Sequence, residues 1–146
     1  MIIETFAAAL GALAFALLFG IPKRYFPGCA LCGGVGWLIY SIMISFTIVG
    51  NAPATLCASI VMAFLSRILA VRQSCPVTIF LTSGIIPLVP GSKLFWMAYY
   101  MVMGSNSPAA QYGADSLLAA GAIVLGIVLV FEIPGKFFNL FQKKTN

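Results

Sequence analysis

The sequence predicts an all-α, polytopic integral membrane protein. It reads as one domain over residues 1–146 with five transmembrane helices, the fourth broken at a Pro-x-x-Pro-Gly motif. Three observations carry that prediction. Of the 146 residues, 62% are hydrophobic and only 8% charged, against about 25% charged in soluble domains. The apolar sequence divides into five runs, each near the roughly 20 residues that cross a hydrocarbon core. The basic residues then fall almost wholly on one side of the resulting drawing.

The first run covers 2–21 and is stopped by "PKRYFPG". Its start, "MIIETFAAAL", lacks a positive leader and carries Glu4, which predicts a retained span and not a cleaved signal peptide. The second run, 29–49, ends in the short turn "GNAP", and the third, 53–69, is closed by "VRQSCP". The fourth is long, 76–104. After the loop "SNSPAAQYG" the fifth covers 114–133, and "PGKFFNLFQKK" forms the tail.

Charge sets the orientation. Lys23 and Arg24 lie between the first two runs, Arg67 and Arg72 between the third and fourth, and Lys136, Lys143 and Lys144 in the tail. Seven of the eight basic residues therefore share one side, the exception being Lys93. The positive-inside rule places the N-terminus outside and the C-terminus in the cytoplasm. A fourth run that failed to cross would put the basic tail on the uncharged side, so the pattern favours five crossings. The net charge of +5 thus marks cytoplasmic loops and a lipid bilayer as partner, with no nucleic acid.

Composition also narrows the chemistry. The chain has no histidine and only three acids, Glu4, Asp115 and Glu132, which leaves little for acid–base catalysis; no enzymatic activity and no cofactor are predicted. Cys29 and Cys32 form a C-x-x-C, but no second pair completes a metal site. With Cys57 and Cys75 they read as small residues for helix contacts. Ala8, Ala12, Ala16 and Gly20 repeat small residues every four positions, as do Gly28, Cys32 and Gly36. Such stripes let backbones approach closely in lipid, and internal packing is the expected use.

The fourth run contains "SGIIPLVPGSKLFW", residues 83–96. Pro87 and Pro90 each remove a helical donor, from the carbonyls of Ser83 and Ile86, at about 3 kcal/mol apiece in a helix interior. The run then becomes a half-helix over 76–85, an unwound "IPLVPG", and a second half-helix with Pro90 in its first turn. Irregular backbone at membrane depth is tolerated where protein buries it or where it lines a wet cavity. The second half-helix would present the amides of Gly91, Ser92 and Lys93 and the Lys93 charge to an anionic group. The first would end in free carbonyls near Thr82 and Ser83, suited to a cation or ammonium. Together they would suit a small zwitterion or acid, as discontinuous helices of secondary transporters do. The competing reading is a packing kink, with Lys93 reaching to the outer interface.

The remaining polar residues carry weaker expectations. Asp115 reads as a cap near the outer end of the fifth span and Glu132 as a partner for Lys136, or either as an ion carrier. Arg67 and Arg72 read as topology anchors, with Arg67 a second candidate for coupling or gating. Gln73, Asn51 and Asn106 read as loop residues.

"IPLVPG" downstream of "SRILAVRQSCP", the "IP" and basic residue after the first span, and the "IPG" with a basic tail after the last resemble the threonine/serine exporter (ThrE-type) family. The likeness covers nearly the whole chain. It is similar to the family's small subunit, which corresponds to the C-terminal half of the fused exporters. The resemblance implies export of threonine and serine or dicarboxylates across the bacterial inner membrane, driven by a proton or other coupling ion. It further implies a larger partner subunit with five spans of its own, and carries over Pro87, Pro90, Gly91 and Arg67 as motif positions. Lys93 is not among them. Oligomeric state is left open. The alternatives are a non-transporting scaffold or assembly subunit, and a channel with "IPLVPG" as its constriction.

Overall fold

The structure, a computed structural model, describes residues 1–46 and 50–138, without the side chains of residues 136 and 137. Among the described residues there are helices and no strand: α1 (Ile2–Leu18), α2 (Phe26–Phe46), α3 (Asn51–Gln73), α4 (Thr78–Ile85), α5 (Gly91–Val102), α6 (Asn106–Phe131) and α7 (Gly135–Phe138). Short 3₁₀ turns at Lys23–Tyr25 and Ile86–Leu88 lead into α2 and out of α4. Lys143 and Lys144, on which part of the expected orientation rests, and the end of the expected second span lie outside the described residues.

Three helices end by one device. After α1, the Ile21 N–H donates to the Ala16 carbonyl and the Gly20 N–H to Leu17, with Gly20 at a φ of 66°. The same pair of bonds closes α3 at Ser74 and Cys75, and α5 at Gly104 and Ser105. This crossed pattern satisfies carbonyls that a helix end leaves open, and it needs a left-handed residue. Gly20 and Gly104 adopt that conformation freely; Ser74, at a φ of 49°, holds it at a cost of about 1–2 kcal/mol.

The small-residue stripes are used inside the bundle. α1 packs on α2 with Ala12 and Ala16 fully buried, and a Cβ on Gly33 would sit 2.5 Å from the Ala12 Cβ. α2 in turn packs on α3 and α4, and α3 on α6. Cys29, Cys32, Met62 and Phe80 form the centre of the core, with the Phe80 ring edge-on to Tyr25 at 5.9 Å. Buried hydroxyls bond locally: Ser66 donates to the Met62 carbonyl at 2.9 Å and Ser83 to Ile79 at 3.1 Å. That satisfies them without a partner helix.

Among the described residues, three helices are long and apolar enough to cross a membrane: Lys23–Phe46 (with its leading turn), Asn51–Gln73 and Asn106–Phe131. A fourth crossing is available if Thr78–Leu88 and Gly91–Val102, which meet at 49°, form one bent span. α1 has 17 residues, about 26 Å of helix against a core of roughly 30 Å.

Several boundaries differ from the sequence expectation. α6 starts at Asn106, so "SNSPAAQYG" is mostly helix; Pro108 falls in its first turn, where a missing N–H is harmless. Pro53 does the same for α3, which also runs on to Gln73. Asn51, Gln73 and Asn106 are therefore helical and not loop residues. Asp115 lies well inside α6 and cannot cap it.

Candidate functional site

The break between α4 and α5 is shorter than the unwound hexapeptide expected from its prolines. Pro87 sits inside the 3₁₀ turn Ile86–Leu88, and the Val89 N–H donates to the Ile86 carbonyl at 3.2 Å. The carbonyl expected to lose its donor to Pro90 thus has another. Only Val89 and Pro90 leave helical structure. Val89 is extended at φ −63°, ψ 130°; Pro90, at φ −76°, ψ 53°, is the centre of an inverse γ-turn, with the Gly91 N–H bonded to the Val89 carbonyl at 2.7 Å. The first bond of α5 runs from Leu94 to the Pro90 carbonyl. Of the three amides expected to be open, that of Gly91 is therefore taken, and those of Ser92 and Lys93 precede the first intrahelical bond.

A cavity of about 100 Å³ lies against this turn, space for several water molecules or a small metabolite. Pro87, Pro90, Ser92 and Lys93 line one side of it, and Trp37, Tyr40, Asn51 and Thr55 the other. The opposite wall is itself tied together: the Tyr40 hydroxyl donates to Asn51 Oδ1 at 3.2 Å, and Thr55 to the Asn51 carbonyl at 2.8 Å. Lys93 Nζ lies 3.3 Å from Asp115 Oδ2, with 21% and 46% of the two side chains exposed. The cavity lysine is thus already matched to a carboxylate.

Other predicted residues go elsewhere. Thr82 bonds the Thr78 carbonyl at 2.6 Å and faces a separate groove with Phe19 and Ile21. Ser83 is fully buried in the core. Arg67 donates to the carbonyls of Val130 and of Ile133, the latter at 2.9 Å, and its guanidinium lies 4.1 Å from the Phe138 ring centroid. It closes the C-terminus of α6, where a cation is favoured by both open carbonyls and the helix dipole. Glu132 is exposed at that same end, and its expected partner, the Lys136 side chain, lies outside the described residues.

Sequence reasoning missed Trp37. Its Nε1 is buried and has no hydrogen-bond partner among the described residues, a state that costs about 1–3 kcal/mol. The ring tilts against Tyr40 at 5.3 Å. Trp37 and Pro87 line not only the cavity but also an open apolar groove along α1, with Glu4, Ala8 and Gly11. Tyr40 and Thr55 were missed as lone residues in apolar runs, and Asn51 because at a span boundary it reads as a loop residue.

Several helices long and apolar enough to cross a membrane define a class, the multi-pass membrane protein. Within that class, this chain belongs to the threonine/serine exporter (ThrE) family, whose profile matches residues 4–133. It is similar to an uncharacterized protein of Haemophilus influenzae, 27% identical over 138 residues, which are 90% of this chain and 45% of that one. It is also similar to a probable threonine/serine exporter of Mycobacterium tuberculosis, 23% identical over 150 residues, 97% of this chain and 28% of that protein. The chain therefore spans less than half the length of these curated relatives. No solved structure matches it.

Proposed function

We propose that this chain is the small membrane subunit of a secondary exporter of small amino or carboxylic acids, of the threonine/serine or dicarboxylate type. It acts in the bacterial inner membrane beside a larger five-span partner. It crosses five times, with α4 and α5 as one bent span and the C-terminus in the cytoplasm. A proton or other ion gradient drives export.

The observation that carries this reading is the Lys93–Asp115 pair at 3.3 Å, joined to a cavity beside the Val89–Pro90 break. An amino acid presents a carboxylate and an ammonium about as far apart as these two groups. It would take Lys93 with the first and Asp115 with the second, exchanging one ion pair for two. The role first expected of carbonyls near Thr82 and Ser83 thus passes to Asp115. Family membership supports the exporter, and a partner is proposed because both curated relatives are more than twice as long as the stretch they share with this chain.

The test is an export assay against L-threonine, L-serine and succinate, with and without a larger five-span partner. Export only with the partner, and its loss in Lys93→Ala and Pro90→Ala at normal protein levels, is expected. Full export by both variants would sink the reading in favour of a scaffold. Currents indifferent to any ion gradient would make it a channel.

A further inference from the structure

We infer that Trp37 is a specificity-determining residue of the Lys93 cavity: its indole turns toward a bound substrate and donates Nε1–H to one of its oxygens. This rests on the cavity being a substrate site, as proposed above.

Three observations converge on the ring. Its N–H is the buried side-chain donor that finds no acceptor among the described residues, whereas the buried hydroxyls of Ser59, Ser66, Ser83 and Ser116 all bond a carbonyl. Buried donors are ordinarily paired, so an orphan marks a group whose acceptor is absent from this conformation. Second, the ring is a wall between two spaces, the Lys93 cavity on one side and the α1 groove on the other. An indole with open volume on both flanks has room to turn. Third, its neighbour in both walls is Pro87, which carries no N–H and so does not compete with the indole for an acceptor. The groove side offers an indole N–H the Glu4 carboxylate and the cavity side the oxygens of Tyr40, Asn51, Thr55 and Ser92; none of them bonds it, and an occupant of the cavity would bring the oxygens of a carboxylate or hydroxyl. An occupant of the cavity is therefore the acceptor that completes Trp37, and the ring in turn closes the occupant off from the α1 groove.

The protein has two tryptophans, and the other, Trp96, lies in the exposed aromatic cluster of α5 with Phe95, Tyr99 and Tyr100. In the Trp96→Phe chain, assembled in membranes with its partner, the part of the indole emission that is lost on adding Trp37→Phe is the signal of Trp37. Titration with L-serine, L-threonine and succinate should give a saturable emission shift with at least one of them, and Lys93→Ala should abolish it. Emission flat with all three overturns the inference. Trp37→Phe, which keeps a ring and loses the donor, should raise the half-saturating substrate concentration about tenfold, the loss of one hydrogen bond to a charged acceptor, with maximal export little changed. An unchanged half-saturation overturns it too. Normal export by Lys93→Ala would instead remove the underlying site, so the two failures are distinguishable.

Discussion

Lys93 on α5 and Asp115 on α6 meet at 3.3 Å, 22 residues apart in sequence, across a contact that also stacks Tyr100 on Tyr112 at 5.7 Å. With Asp115 about half exposed, the pair contributes at most about 1 kcal/mol to stability. Its weight is functional. Lys93→Ala and Asp115→Ala should each lower export at least tenfold while thermal unfolding in detergent shifts little. A large loss of stability in either would make the pair a structural brace.

Arg67 should behave oppositely. Its guanidinium serves carbonyls at the end of α6 and leans on the Phe138 ring. Arg67→Ala should destabilise by about 1.5–3 kcal/mol, with faster hydrogen exchange in the last turn of α6. Arg67→Lys should recover only part, because an ammonium lacks the planar fork. Unaltered exchange in that turn would show that the contact contributes nothing.

Close packing of α3 and α6 gives a third prediction. A Cβ on Gly126 would collide with Ser59 Oγ and approach the Ile60 amide at 3.2 Å, whereas one on Gly121 meets nothing within 4 Å. Gly126→Ala should therefore lower stability by about 1–3 kcal/mol. Gly121→Ala should be neutral or slightly stabilising, since alanine is the better helix former. Equal melting temperatures for the two would contradict the packing.

Cys75, in the connection between α3 and α4, gives a pH dependence. Burial pushes its thiol above the ordinary value, although the Tyr25 hydroxyl and the Arg24 charge pull the other way. The thiolate is the reactive form, so alkylation by a maleimide should be slow at neutral pH and accelerate only as pH climbs past the usual thiol range. Tyr25→Phe removes a hydrogen bond that favours the thiolate and should move that rise to still higher pH. Rapid labelling at pH 7 would refute the burial.

The break was legible because proline acts locally: Pro87 and Pro90 lack their N–H wherever the chain goes. The small-residue stripes were legible for a similar reason, since a four-residue spacing puts them on one helix face. The site was not legible in full. Asp115 becomes a partner of Lys93 only through the packing of α5 on α6, and prolines 53 and 108 extend their helices instead of ending them, which shifts every nearby boundary. Thr82 and Ser83 look available in sequence because their spacing from Pro87 is right. Yet helix continuity through Ile86–Leu88 leaves Thr82 on another groove and Ser83 in the core. Trp37 gave no signal, because an orphan donor is defined by what surrounds it.

α5 buries none of its own residues and packs chiefly on α6. Its other attachments are the two-residue turn at Val89–Pro90 and the short connection through Gly104 into α6. A rod held at both ends and latched along one side has few ways to move: when the latch lets go, what loosens is its first turn against α6. The ion pair is part of that latch. Neutralising or occupying it therefore acts first on the opening turn of a twelve-residue helix, beside the Val89–Pro90 turn and the cavity that lies against it.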